Sequence, residues 1–219
     1  MGVEDAAYFG VAVGRALAPT LAVTPASLRG GPGSALNDPT TCRYVTARLL
    51  LGQARLGFIS VWSPTFLTLL LEAVERDALE IANDIERGTL AGGRGLPGRL
   101  PADPARAAAI RRAAGEWLDY ASVWPGLAVV SCWTEGESAA FIPALRARLP
   151  GVLIQPKGLL ATEGAVSVPV LGEGGGALAV GSHVIELVPD GEPDDRALLA
   201  DAVDVGTTAS VLLTTGGGL

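Results

Sequence analysis

Ile59-Ser60-Val61-Trp62-Ser63-Pro64-Thr65-Phe66-Leu67-Thr68-Leu69-Leu70 changes its periodicity part-way along. Phe58 to Trp62 is a short apolar run of the length a buried strand needs. Ser63-Pro64 then supplies a capping hydroxyl and a proline at the first helical position, a device for starting a helix. Beyond it Phe66, Leu70, Val74, Ile81 and Ile85 are spaced for one helical face, and Gly88 ends the run. Two more strand candidates follow, Leu127 to Trp133 and Val152 to Gln155, with helical segments between. Strand, helix, strand, helix, strand implies parallel strands joined by right-handed crossovers. The fold class expected is therefore α/β: a parallel sheet with flanking helices, built on a βαβαβ core.

The cap-plus-proline device recurs at Asp38-Pro39, where Cys42, Val45 and Leu49 share a helical face, and at Asp103-Pro104, where Arg106, Arg111 and Arg112 make the helix basic on one side. An Ala-rich helix is expected over Asp5 to Ala18. Leu28 to Asn37 and the Gly- and Pro-rich Leu90 to Pro101 read as loops. Glu137 to Arg148 reads as a helix kinked at Pro143. From Ala165 onward the pattern becomes short strands separated by turns: Ala165 to Val170, Ala177 to Val180, Val184 to Val188 and Ser210 to Thr214. These suggest a short-stranded antiparallel extension or partial barrel. The division expected is 1–164 for the α/β core and 165–219 for the β-rich extension.

Composition limits the function. The chain has 219 residues, 49% of them hydrophobic and 18% charged, as a globular protein with a sizeable core requires. A net charge of −7 argues against a nucleic-acid partner, since no basic surface offsets phosphate repulsion. All but one of the 16 basic side chains are arginine, and Lys157 is the exception. Cys42 and Cys132 stand far apart without a CxxC or partnering histidines, so they read as two buried free thiols in a reducing compartment. Glu4 and Asp5 occupy the place where a secretory signal would be basic. Val11 to Val23 is interrupted by Arg15 and Pro19 and is too short for a bilayer. A cytoplasmic protein with no membrane partner is expected.

In parallel sheets ligands bind beyond the carboxyl ends of the strands. Trp62-Ser63, Trp133-Thr134-Glu135 and Pro156-Lys157-Gly158 fall at those ends. The last leads into Leu159-Leu160-Ala161-Thr162-Glu163-Gly164, a glycine-flanked loop carrying a hydroxyl and a carboxylate. A Thr hydroxyl can bond a phosphate oxygen, and a Glu carboxylate suits Mg²⁺, which takes oxygen ligands and shares them with phosphates. An ordinary capped turn with a solvated Glu satisfies the same residues. Lys157 could approach a phosphate, although a lone lysine is generally solvated. His183, the only histidine, reads as structural, because nothing near it in sequence forms a nucleophile constellation. The triplets Gly174-Gly175-Gly176 and Gly216-Gly217-Gly218 read as turns, since neither is followed by Lys-Ser/Thr and a helix.

Taken together, Val129-Val130-Ser131-Cys132-Trp133-Thr134-Glu135-Gly136 through Leu149-Pro150-Gly151-Val152, then Gln155-Pro156-Lys157-Gly158-Leu159-Leu160-Ala161-Thr162-Glu163-Gly164, resemble the bacterial branch of the auxin-responsive acyl acid-amido synthetases. That family is part of the acyl-adenylate-forming superfamily. The segment quoted at the outset, Ser182 to Pro189 and Leu212 to Leu219 resemble it in the same order. The resemblance implies the large domain of an adenylating enzyme and an ATP-dependent reaction: a small carboxylic acid is adenylated, then transferred to an amine such as an amino acid. It implies Thr162 and Glu163 as catalytic residues, with Thr162 on the α-phosphate and Glu163 as the Mg²⁺ ligand. Gly158, Leu159, Leu160 and Ala161 would lie along the adenine, Leu159 standing where relatives often stack an aromatic. Ser131, Trp133 and Thr134 would wall the acyl pocket, although Trp133 serves equally well as core. Glu186 matches an acidic position in a family strand.

Family members are more than twice as long. They carry a Ser/Thr/Gly-rich phosphate loop, for which no counterpart is found before Ala7, and a Tyr-Arg-Tyr-Arg…Gly-Asp run beyond the Leu219 match, whose Asp is expected on the ribose. The chain is accordingly expected to be the central portion of such an enzyme, without the phosphate loop or the C-terminal domain, and inactive or impaired alone. The alternatives are a non-catalytic remnant or interaction module, and an acyl-CoA ligase relative with a thiol acceptor.

Overall fold

A computed structural model describes residues 38–91, 99–170 and 175–216. The expected helix over Asp5 to Ala18 and loop over Leu28 to Asn37 lie outside these residues.

All three cap-plus-proline signals start helices. Asp38 accepts from Thr41 N at 2.7 Å and opens α1 (Pro39–Leu51). After β1 (Phe58–Ser60), Ser63 accepts from Thr65 N at 3.3 Å and opens α2 (Pro64–Arg87), which Gly88 closes at φ 70°. Asp103 accepts from Arg106 N at 2.9 Å and opens α3 (Pro104–Ala113). A four-residue helix, α4 (Tyr120–Val123), leads into β2 (Val129–Cys132). The segment expected as one kinked helix is two pieces: a 3₁₀ stretch, Gly136–Phe141, then α5 (Ile142–Arg148). Pro143 sits in the first turn of α5, where its missing N–H costs nothing, instead of breaking a helix interior. The chain then enters β3 (Leu153–Pro156).

Strands β1, β2 and β3 form one sheet in that order, parallel throughout. Ser60 pairs with Ser131 and Ser131 with Gln155, so the carboxyl ends of the strands are level. The fold is α/β, a parallel sheet with flanking helices followed by antiparallel pairing.

One buried apolar cluster, running in sequence from Tyr44 to Ile154, joins helices and sheet. Its α2 contribution is Leu67, Leu70, Leu71, Val74, Ala78, Ile81, Ala82 and Ile85. Phe66, expected on that face, is exposed. Leu90 and Ala91, expected in an exposed loop, are fully buried, and Thr89 bridges Arg99 across the undescribed residues 92–98. Arg106 is buried at the junction of three segments, donating to Leu51 O and Val123 O at 2.7 Å each and to Gln53 O at 3.4 Å. Burial pulls its pKa down, Asp103 partly opposing. Of the two cysteines, Cys132 is buried as expected, whereas Cys42 is exposed.

Beyond β3 the antiparallel pairing splits into two small sheets, not one barrel. β4 (Ser167–Pro169) pairs with β5 (Gly176–Leu178). β6 (Val184–Pro189) lies between β7 (Leu198–Leu199) and β8 (Ala209–Thr214). Gly176, expected within a turn, opens β5, where a Cβ would stand 2.9 Å from Ser167 Oγ. Gly174, Gly217 and Gly218 lie outside the described residues. Among the described residues no helix is long and apolar enough to cross a membrane.

Candidate functional site

The parallel sheet delivers Trp62, Trp133 and Lys157 to its carboxyl edge from its successive strands. Val61 N donates to Ser131 O at 3.0 Å and Trp133 N to Trp62 O at 2.9 Å, so the ladder continues past the strand ends. The two indoles meet at 5.4 Å between centroids with planes inclined by 50°. The geometry suits edge-on aromatic packing. Lys157 Nζ lies 5.3 Å from the Trp62 ring centroid and donates to Ser60 Oγ at 2.7 Å. Lys157 is therefore half-buried and held, not solvated as its isolation in the sequence suggested. A cation over an indole face is attracted by the ring quadrupole. Beneath it the buried Cys132 thiol is pushed up by burial, with the Lys157 charge opposing.

The loop after Lys157 is tightly organised. Gly158 adopts φ 73°, and a Cβ there would collide with the Ser167 carbonyl, so the position needs glycine twice over. Ser167 Oγ accepts from Leu159 N at 2.9 Å, while Val166 N and Ser167 N both reach Leu159 O, at 3.0 and 3.1 Å. Leu160 bridges Ala165 in antiparallel register. Ala161 N donates to Gly164 O at 3.0 Å and Gly164 N to Ala161 O at 3.3 Å. This reciprocal pair closes a narrow hairpin whose tip is Thr162-Glu163. Both tip residues are exposed. The Thr162 hydroxyl, hydrogen-bonded to the Glu163 side chain, holds that carboxyl below the usual range, the Glu163 N–H adding to it. The tip thus offers an ionised carboxylate and a hydroxyl as adjacent hard oxygen donors. Among the described residues no cluster of three or more His, Cys, Asp or Glu could hold a metal. Leu159, on the outgoing limb, is half-exposed.

An open cavity of about 620 Å³ lies beside the same edge, lined by Thr134, Glu135, Ile142, Arg146 and Pro156 among others. Thr134 is the member of the expected acyl wall that reaches it. Ser131 is half-buried within β2, and Trp133 is 36% exposed against Trp62.

Sequence reasoning passed over Ser60 and Arg146 and left His183 without a contact. Ser60 was discoverable from its place two residues before Trp62 on a parallel strand. The packing of His183 carried no sequence signal: its ring lies against Gly164, 19 positions earlier, where a Cβ would stand 2.6 Å from Cδ2.

Against this geometry the comparisons with known proteins are specific. Residues 19–154 match the GH3 family N-terminal domain. The chain belongs to the GH3 family. Among solved structures, the fold is similar to that of AtGH3.15 acyl acid amido synthetase in complex with 2,4-DB, with TM-score 0.75 and 16% identity over 94% of this chain. A second structure, GH3.15 acyl acid amido synthetase, superposes with TM-score 0.66 at 16% identity over 83% of this chain. The GH3 chain described here spans 38% and 36% of those two structures. At 16% identity they attest the fold. A search of curated proteins returned no match.

Proposed function

We propose that this GH3-family chain carries part of the nucleotide and acyl site of an ATP-dependent acyl acid-amido synthetase. In this reading a carboxylate oxygen of a small acid attacks the α-phosphorus of ATP and pyrophosphate leaves. An amine, such as that of an amino acid, then attacks the acyl carbonyl and AMP leaves. Little covalent work falls to the protein, so its contribution is positioning and charge neutralisation.

The observation that carries the reading is the closed hairpin that follows β3 beyond Lys157 at its carboxyl end. Thr162 and Glu163 form its tip, on a turn closed by its own backbone pair, with the hydroxyl holding the carboxyl below its ordinary range. Mg²⁺ is commonly held by one or two carboxylates together with substrate phosphates and water, so a single exposed glutamate fits that donor set. Glu163 would hold the ion and Thr162 would contact the α-phosphate. Mg²⁺ bound there would neutralise charge developing on the phosphates. Gly158, Leu159, Leu160 and Ala161 form the limb proposed to run along the adenine, where half-exposed Leu159 offers aliphatic packing. Ser131, Trp133 and Thr134 would bound the acyl pocket, Trp133 braced by Trp62. The division into 1–164 and 165–219 belongs to the same proposal; it is supported by the main apolar cluster, whose last member is Ile154.

Calorimetric titration of the chain with Mg–ATP, for wild type and Glu163→Gln, tests the reading. Loss of binding in the variant is expected, with an unchanged unfolding midpoint because the side chain is exposed. Equal binding in both proteins rejects the metal role of Glu163. No binding by the wild type is the outcome a non-catalytic interaction module requires.

A further inference from the structure

We propose that Ser182 and His183 form a clasp that positions the Thr162-Glu163 turn, which makes His183 a positioning residue for the nucleotide site. The functional half of this statement rests on the adenylation reading above; the clasp itself does not.

An exposed turn two residues wide has little packing of its own, and such segments open locally at small free-energy cost. A carboxylate that must meet a metal-bound phosphate has to be held to within about 0.5 Å, which requires a supporting shell. The outgoing limb supplies one side of that support, through the Leu160–Ala165 bridge and the bonds to Leu159 O. The segment Ala179 to His183 supplies the other. Ala179 N donates to Val166 O at 2.8 Å. Ser182 Oγ lies 3.2 Å from Ala165 O and 2.7 Å from Ala179 O, so one hydroxyl joins the clasp to the returning limb. The imidazole edge of His183 then closes on Gly164 itself, with Nε2 and Cδ2 occupying the space a Cβ would take.

Gly164 is absent from the glycines of positive φ, so its backbone is one any residue can adopt. What demands glycine there is the ring. The clasp stands on a firm base: His183 immediately precedes β6, whose first residue Val184 pairs with Thr214 and whose second, Ile185, is buried. The β-rich extension thereby acts on the turn through a ring-to-backbone contact, and this gives its short sheets a role in the site without a side chain on the ligand.

The experiment exploits a double-mutant cycle and the single histidine of the chain. Amide hydrogen exchange in the ligand-free full chain is followed at Ala161 and Gly164 for wild type, His183→Ala, Gly164→Ala and the double variant. Each single change is expected to accelerate exchange at the turn about tenfold while the β1–β3 amides stay protected. In the double variant the new methyl occupies the space the ring vacated, so protection should partly return, a non-additive outcome. Additive losses, or no loss, overturn the clasp.

Mg–ATP titration of the same proteins tests the link to function. The wild-type imidazole signal in NMR spectra is expected to shift on binding. Affinity should fall about tenfold in His183→Ala, as for other supporting residues around metal sites, and recover in part in His183→Gln. Wild-type affinity in His183→Ala despite lost protection overturns the positioning role. Should the wild type fail to bind Mg–ATP, the adenylation reading falls, while the exchange cycle still decides the clasp.

Discussion

The two halves of the molecule are held together by different means. From α1 to β3 an apolar cluster passes through every helix and the sheet, with Tyr44, Leu51, Leu67, Leu71, Ile81 and Leu145 fully enclosed. From Ala165 onward the buried hydrophobic side chains among the described residues are Val166, Ile185 and Val188. The first half is ordered by exclusion of water. The second is ordered by strand pairing and a few polar pins, such as Ser167 Oγ on Leu159 N and Ser182 Oγ on Ala165 O. The candidate site lies between them: Trp62, Trp133 and Lys157 stand at the edge of the packed sheet, and the Thr162-Glu163 turn that follows is pinned by Ser182 and His183 of the second half. Sites are commonly built so, with loop residues carried on a scaffold.

The contrast is broken most directly by matched truncations. Leu71→Ala, at a fully buried position, is expected to destabilise the protein by about 3 kcal/mol, combining lost transfer energy with a cavity. Leu199→Ala, with its side chain 55% exposed on β7, should stay within about 0.5 kcal/mol. Urea unfolding midpoints measure both. Comparable losses would mean that the extension has a core of its own.

Polar anchors give a smaller and sharper comparison. Arg106→Ala leaves the buried carbonyls of Leu51 and Val123 without their donor, and a loss of about 2 kcal/mol in global stability is expected. Ser167→Ala removes one bond to Leu159 N near the surface, worth about 1 kcal/mol. Its effect should be local: faster amide exchange along the 158–167 limbs with little change in the unfolding midpoint. A global effect from Ser167→Ala as large as that from Arg106→Ala would erase the distinction between the halves.

What the sequence disclosed follows the same division. The helix starts were legible because Asp-Pro and Ser-Pro are local devices, and all three act as read. The α/β class was legible because strands alternating with helices leave few topologies. Phe66 was misplaced because steps of four residues rotate by about 40° around a helix of 3.6 residues per turn. By Val74 and Ile85 the face has moved toward Leu67, Leu71 and Ala78, leaving Phe66 at its solvent edge. The helix Tyr120–Val123 and strand Leu198–Leu199 are shorter than any periodic window and left no pattern. In the site, the residue types at the strand ends were readable from topology, whereas Lys157 over Trp62 and His183 on Gly164 exist only once distant segments meet.

The smallest expected effect concerns the turn itself. The Thr162 hydroxyl holds the Glu163 carboxyl below its ordinary range. A depressed folded value means that the native state favours the ionised form. The associated stabilisation is present above the unfolded carboxyl value and is lost as pH falls through the folded one. Thr162→Val removes the hydroxyl and keeps the β-branch, so the Glu163 carboxyl should titrate at higher pH, detectable by NMR of its side-chain carbon. Because Glu163 is exposed, the global unfolding midpoint should stay where it is in both acid and neutral buffer. Mg–ATP affinity on the adenylation reading should begin to decline at a higher pH in Thr162→Val than in wild type, as the carboxylate protonates earlier. Identical titration of Glu163 in the two proteins would show that the hydroxyl does not act on the carboxylate. The turn would then be held by its backbone pair and by the clasp behind it, with no electrostatic contribution from its own tip.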